Sequence, residues 1–403
     1  MKLKLFASSL LLLRLFAASA QDTTEQRNLE IYGFVMTDAG YNFNQINPNW
    51  FDAMRVTKLP TYTNQYAPDG NAYFSVRQSR FGVRGWTQTP VGELKTVFEF
   101  DLFGVGVDEG QTTMRVRSMY AELGRFLVGQ ANTPFMDGDV FPNTMEYWGP
   151  TGMVFFRNIQ IRYAPLVGDN EVYVALERPG ASADAGNSAG RIELDSVNPR
   201  FPLPDLSAHF KKSGTWGHVQ LAGMLRDIQW VDYHTSGGYN LTGGVVGWGL
   251  HLSAVLNLTG MDVFRGSFVY GQGVENYMND APADVGVVEN LGNAQKPLSG
   301  KALPVTGFVA FLDHNWTDKL STSLGYSATY IQNTDQGSPT SYRQGQYAIV
   351  NLVASPFKNV TAAAELQWGK RSNFTGGFSS NATKIQFSFK YNFSQVFYKH
   401  KKS

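Results

Sequence analysis

The chain of 403 residues has no cysteine, which removes thiolate metal sites, thiol nucleophiles and any disulfide framework. It also lacks a charge of either sign in excess: 34 Lys and Arg stand against 33 Asp and Glu. That balance gives no support to a nucleic-acid partner. Beyond residue 20 no apolar run approaches the roughly 20 residues that a spanning helix needs. A helical membrane protein is therefore excluded. Internal repeats of fixed length and Pro- or Ser-rich linkers are missing too, so the chain reads as one domain.

What is present begins at the N-terminus. Lys2 and Lys4 precede an apolar run that ends in Ala18-Ser19-Ala20, the order of a secretory signal peptide cut after Ala20. Next come alternating segments of about ten residues, about sixteen in all. They start near residues 29, 72, 93, 114, 125, 157, 170, 205, 218, 245, 260, 303, 320, 346, 360 and 382. In one of them Val246, Trp248, Leu250, Leu252, Ala254 and Leu256 interleave with Gly247, Gly249, His251, Ser253 and Val255. In the last, Ile385, Phe387, Phe389 and Tyr391 interleave with Lys384, Gln386, Ser388 and Lys390.

Short and long connections take turns. The long ones cover roughly 42–70, 104–113, 133–156, 179–204, 231–244, 273–301, 332–345 and 371–381. Strict alternation of this kind means antiparallel neighbours, with tight turns at one rim and large loops at the other. Trp86, Tyr120, Trp148, Tyr163, Trp230, Trp316, Tyr330 and Trp368 fall at predicted strand ends, as in the aromatic girdles of a membrane barrel. In hydrocarbon every backbone N–H and C=O must be paired within the protein, so a sheet spans only when closed. The predicted fold is thus an all-β transmembrane antiparallel barrel of about 16 strands, with short periplasmic turns, long extracellular loops and a wet lumen. The predicted layout is signal peptide 1–20, a short periplasmic segment 21–28, barrel 29–393 and a C-terminal extension 394–403.

The stretch RFGVRGW sets Arg80, Gly82, Arg84 and Trp86 against Phe81, Val83 and Gly85. In a barrel the apolar set faces lipid or a neighbouring subunit and the charged set faces the channel. In the segment MRVRSMYAEL the alternation puts Arg115 and Arg117 on one face with Met119 and Ala121, and Val116 and Tyr120 on the other. Arg162 falls in register with Asn158 and Gln160. Lys95, Arg226, Arg265, Lys384 and Lys390 also take predicted lumenal positions, countered by Glu99, Asp101 and Glu365, and so do His209 and His251. Two isolated imidazoles make a poor metal site, and no metal or cofactor is expected. Arg77 is out of register with Arg80, which assigns it to a subunit contact or a place above the membrane.

The order LEIYGFVMTDAGYNF, RQSRFGVRGW, MRVRSMYAELGRFLVGQANTPFMDGDVFPNTMEYWGP, GMVFFRNIQIRYAP resembles trimeric general porins, and among them the DcaP-type porins of Gram-negative outer membranes. The resemblance implies a homotrimer in outer-membrane lipid, a third long loop folded into the lumen, and passage of small anionic solutes such as dicarboxylates and aromatic acids. It makes the Arg115 and Arg117 face lumenal. It also matches Arg157 to the basic residue that porins carry just after the constriction loop, and offers Asp137, Asp139 and Glu146 as the acidic groups of that loop. Arg80, Arg84, Arg115, Arg117, Arg157 and Arg162 are then the expected pore-lining cations. The chain departs from the family in two ways. DcaP-type proteins often carry an N-terminal coiled coil, which is missing between Gln21 and Asn28, and SQVFYKHKKS follows Phe393, the natural terminal aromatic.

Three rival readings compete. A plugged, structural or adhesive barrel would work through its large loops. A neutral-sugar porin would show a row of aromatics along the channel, and no such row is evident in the sequence. An outer-membrane enzyme needs a catalytic constellation at one rim, for which Asp313-His314 is the only adjacent acid-imidazole pair. The leading expectation is a channel and not an enzyme.

Overall fold

The computed structural model describes residues 27–180, 190–234 and 238–398. The signal segment 1–20, residues 21–26 and the end of the tail, 399–403, lie outside the described residues. The strands are β1 (Arg27–Asn42), β2 (Asn71–Ser75), β3 (Arg80–Thr89), β4 (Gly92–Phe103), β5 (Thr112–Leu123), β6 (Phe126–Asn132), β7 (Arg157–Leu166), β8 (Asn170–Glu177), β9 (Val197–Arg200), β10 (Asp205–Gly214), β11 (Gly217–Asp232), β12 (Gly243–Asn257), β13 (Asp262–Gln272), β14 (Val285–Glu289), β15 (Leu298–Ala302), β16 (Pro304–Thr317), β17 (Leu320–Ile331), β18 (Tyr342–Phe357), β19 (Val360–Asn373) and β20 (Ser379–Tyr398). Each barrel strand pairs antiparallel with its neighbours, and β20 returns to β1, where Asn42 lies opposite Lys384 and Asn28 opposite Tyr398. The sheet therefore closes and leaves no edge. β2 and β3 are two pieces of one wall strand, both paired with β1, and β9 and β10 are likewise two pieces paired with β11. With β14 and β15 forming a separate hairpin, the wall has 16 strands.

The polarity runs opposite to that of a soluble sheet. On β20 the buried side chains are Lys384, Gln386 and Ser388, whereas Phe387, Phe389 and Tyr391 are about half exposed. On β11 and β12 Gln220, His251 and Ser253 are buried, while Leu221, Leu225, Leu250 and Leu252 face outward. A register slip of one residue would exchange the two sets. Turning a Lys outward at the bilayer midplane costs about 2–4 kcal/mol, so this alternation specifies the register strongly.

Several predicted details differ. β20 runs five residues past Phe393 and stays paired with β1, so the segment 394–398 is strand and not extension, and β1 starts at Arg27 instead of residue 29. The long connection predicted over 371–381 shrinks to 374–378, because Ser372 pairs with Ser379 and Gly376 and Gly377 supply the positive φ of a tight turn. Not every predicted girdle aromatic is on the outside. Trp148 is in the third long loop, Trp230 is buried and donates to the Leu241 carbonyl at 2.7 Å, and Trp86 shares the inward register of Arg84, opposite Lys95. Trp316, Tyr163 and Tyr330 do lie exposed.

More than one loop enters the lumen. The first long loop (43–70, L1) buries Met54, Val56 and Leu59. These pack in one cluster with Phe135, Met136, Val140, Met153 and Val154 of the third loop (133–156, L3), and with Val274, Tyr277 and Met278 of the sixth (273–303, L6). A bridge between Val154 and Met278 joins L3 to L6. Asp280 of L6 accepts from Arg55 Nε at 3.0 Å and from the Thr57 amide at 2.8 Å. Arg55 itself lies 4.3 Å from the ring centroids of both Trp50 and Trp148.

Candidate functional site: the arginine-lined lumen

β3, β4 and β5 present one charged cluster to the lumen. Asp101 of β4, fully buried, meets Arg117 Nη1 at 2.7 Å and Arg115 Nη2 at 3.2 Å. Glu99 lies 3.5 Å from Arg117 Nε and 3.6 Å from Arg80 Nη1. A local irregularity makes this possible. Glu99 pairs with Ser118 while Phe100 pairs with Val116, so Arg117 is the extra residue of a β-bulge. The bulge resets the alternation along β5: Met119 turns outward and is half exposed, and Tyr120 turns inward, with Lys95 Nζ 5.9 Å from its ring centroid. The expectation that Met119 and Ala121 share the arginine face is corrected on this point. Simple period-two counting cannot see an inserted residue.

Arg157, at the head of β7, precedes the inward register of Asn158, Gln160 and Arg162. It still lines the same cavity as Arg80, Arg115 and Arg117, with its guanidinium 5.1 Å from the Phe155 ring. Arg157 forms no ion pair with the described residues. Arg84 and Arg162 lie nearer the short-turn rim, outside this cavity. Arg84 meets Glu30 at 3.2 Å, and Arg162 lies 4.3 Å from the Tyr173 ring centroid. Arg77 is neither at an outer contact nor above the barrel. It is buried at the break between β2 and β3, 2.8 Å from Asp52 of L1 and 3.9 Å from the Phe103 ring.

None of the three loop carboxylates forms an ion pair with these arginines, and of the three only Glu146 lines their cavity. L3 follows the inner wall, and each acid is bonded to the stretch of wall it passes. Asp137 accepts from His218 Nε2 at 2.8 Å and Ser253 Oγ at 2.7 Å, and Asp139 meets Lys211 at 2.7 Å. Glu146 pairs with Lys384 of β20 at 2.9 Å and accepts from the Met54 amide of L1. Burial works against an ionised Asp137, yet the His218 and Ser253 hydrogen bonds and the Lys211 charge outweigh it and hold the carboxyl well below its usual range. From L3, Tyr147 reaches the Arg115 and Arg117 pair: its hydroxyl bonds Asp101, Arg115 and Arg117, and its ring stacks on Phe103 at 3.7 Å.

His209 and His251 hold the loop. Their Nδ1 atoms contact the Pro134 and Phe135 carbonyls at 3.0 and 2.9 Å, and Gln220 donates to the Met136 carbonyl. Asp137, Asp139 and His218 have ligand atoms within 4.8 Å of one another. The Lys211 ammonium already lies 3.6 Å from Asp137 and 2.7 Å from Asp139, so a lysine serves as the local cation. The acid-imidazole pair Asp313-His314 splits across β16: Asp313 bonds Arg265 at 2.6 Å and His314 bonds Asp262 at 2.7 Å, because successive strand residues point to opposite faces.

Between the loops and the wall a cavity of about 1110 Å³ remains. Nine cationic side chains line it, against the four carboxylates Glu99, Glu109, Glu146 and Glu193. Five of the cations are Arg80, Arg115, Arg117, Arg157 and Lys390 of the wall. Arg55, Lys58 and Arg191 come from loops and Arg371 from β19. Sequence reasoning missed these last four, three of which sit in loops without period. Arg371 carries the inward alternation of β19 but was assigned to the eighth loop.

No curated protein matches the chain. In the solved structures it is similar to the outer membrane channel DcaP of Acinetobacter baumannii, with 18% identity and a TM-score of 0.76 over 94% of this chain and 100% of that one. The trimer form of OmpT from Vibrio cholerae aligns at 12% identity and TM-score 0.53, covering 91% and 99% of the two chains. The anion-selective porin from Comamonas acidovorans aligns at 11% and 0.55, covering 91% and 100%. The model of the family described as DcaP outer membrane protein matches residues 17–393, and with the closed 16-strand wall and its loop-narrowed lumen this shows that the chain belongs to the DcaP outer membrane protein family.

Proposed function

We propose that the protein is a passive outer-membrane channel for small hydrophilic solutes that favours anions, dicarboxylates and aromatic acids among them. The observation that carries this reading is the lining of the cavity: nine cations to four carboxylates, with Arg157, Arg371 and Lys390 in no ion pair with the described residues. Cations without a carboxylate partner leave a net positive field in the lumen, which concentrates anions and orients dipolar solutes. Arg80, Arg115, Arg117 and Arg157 form the narrow step. Their planar guanidinium groups match carboxylates in two-point contacts, and Arg84 and Arg162 continue the series toward the short-turn rim. Weak binding at successive sites favours passage over trapping.

A homotrimer belongs to the same reading, supported by the trimer form of the OmpT neighbour and by the aromatic outer face of Phe81, Phe98, Phe100 and Phe393. Export follows cleavage after Ala20, which N-terminal sequencing of the membrane-inserted protein checks. A plugged barrel is the second reading, favoured by the joint packing of L1, L3 and L6 inside the lumen.

One experiment separates them: the reversal potential of the purified protein in planar bilayers under a KCl gradient, with a dicarboxylate added afterwards. Anion-leaning current steps that the dicarboxylate blocks transiently support the proposal. Cation preference without blockage removes the anion claim, and absence of conductance favours the plug.

A further inference from the structure

The outer surface of β17 to β19 carries a feature that transport does not use. At the long-loop end of β18 the pairing shifts between Tyr342 and Gln344, so Arg343 is an extra residue. It is exposed, and its guanidinium lies 5.7 Å from the Tyr330 ring. Tyr330 itself faces outward, 40% exposed. On the adjacent strand Lys370 pairs with Gln346 and shares the outward register of Trp368 and Leu366. Gln346 accepts from the outward Tyr326 hydroxyl at 3.0 Å. Neither Arg343 nor Lys370 forms an ion pair with the described residues.

The order down this face is cation and amide, then aromatic, then aliphatic. Lys370 is four residues above Leu366, roughly 13 Å along the strand or about 10 Å in height at the usual tilt. That places the two cations at headgroup level while Leu366, Val350 and Leu324 meet the acyl chains, with Trp368 and Tyr326 between them in the girdle. Another outward rim cation, Arg200, lies opposite Gln229, whose outward neighbour on β11 is Asp227. Among the described residues no acid plays that part beside Arg343 and Lys370.

We propose that Arg343 and Lys370 form a docking site for the phosphate groups of an outer-leaflet phosphorylated lipid, with Tyr330, Tyr326 and Trp368 packed against its sugar and upper acyl carbons. Charge complementarity selects this occupant: two cations without carboxylates sit at the height of the lipid phosphates, and Arg343 offers the planar fork that bonds phosphate in pairs. The inference rests on the outer-membrane placement and is independent of ion selectivity.

The test uses the purified full chain in detergent micelles, titrated with bisphosphorylated lipid A and followed by native mass spectrometry. Wild type is expected to retain the lipid, and R343Q/K370Q to bind it roughly ten-fold more weakly or worse. The charge-keeping pair R343K/K370R should largely restore binding, and K319Q/K358Q, at the opposite rim, should leave it unchanged. Inorganic phosphate at millimolar concentration should not displace the lipid. Equal binding by R343Q/K370Q, or equal retention of the dephosphorylated lipid, would overturn the site. Channel conductance measured on the same variants distinguishes this failure from a failure of the transport reading, because neither side chain lines the lumen.

Discussion

Replacing Arg157 by Gln isolates one charge without breaking an ion pair, because this guanidinium has no carboxylate partner in the described structure. An ion passing roughly 6 Å from that charge feels about 0.7 kcal/mol in water. Screening at about 0.1 M salt reduces this to about 0.4 kcal/mol. Loss of the charge raises the energy of a passing anion and lowers that of a cation by the same amount. The anion-to-cation permeability ratio should therefore fall by about 0.8 kcal/mol, or about four-fold. The assay is the reversal potential in a planar bilayer under a KCl gradient, recorded at low and high ionic strength. The shift should be larger at low salt and nearly vanish at about 1 M, where the screening length is about 3 Å. Arg117→Gln is the matched control with the opposite complication, since it leaves Asp101 short of a partner. An unchanged ratio for R157Q at low salt would refute the assignment of the field to this cluster.

The loops supply the other predictions. Asp280→Ala removes the acceptor of Arg55 and Thr57, a loss of about 2–3 kcal/mol for hydrogen bonds to a charged group. Single-channel conductance should rise and become noisier as L1 and L6 separate, and an unchanged trace would show that this contact does not restrict the lumen. His218→Ala takes away one anchor of Asp137 and should lower the thermal midpoint and loosen L3. In the wild type the depressed Asp137 gives stability that is complete above its unfolded pKa of about 3.9 and is lost as pH falls through its lower folded value. Conductance should thus be steady down to about pH 4. Glu275 of L6 behaves the other way: burial, then the charge of Asp284, pushes it well above the usual carboxylate range, and Asp284 stays ionised between Arg191 and Arg226, 3.1 Å from each. A raised folded pKa means stability that is present at low pH and lost as pH rises through that value. Glu275→Gln should therefore flatten the alkaline fall in thermal stability, and a fall as steep as in wild type would sink the argument.

The barrel was legible in the chain because its two signals are local. Period-two alternation comes from strand geometry, and the turn of every hairpin is written in adjacent residues, so Lys384, Gln386 and Ser388 could be sent inward with no knowledge of their partners. Arg80 and Lys390 were found in this way, while alternation put Arg115 and Arg117 on one face and only the resemblance to porins made that face lumenal. Failures came where a local count was interrupted. One inserted residue at Arg117 reversed the faces of Met119 and Tyr120, and the strand break at 76–79 buried Arg77 against Asp52.

Other features were decided only by tertiary structure. The sequence carries Asp137, Asp139 and Glu146 within one loop, but nothing local says which wall each acid meets. His218, Lys211 and Lys384 come from strands 72 to 238 residues away along the chain. The same holds for Arg55 between two tryptophans and Asp280, and for the entry of L1 and L6 beside L3. Aperiodic loops take their course from the polar groups and apolar cavities that the closed wall offers them. The sequence by itself determined a closed barrel with a charged lumen, because alternation is a property of each strand alone. Only the tertiary structure decided which charges remain unpaired in that lumen, because pairing is a property of the loops once they have folded into it.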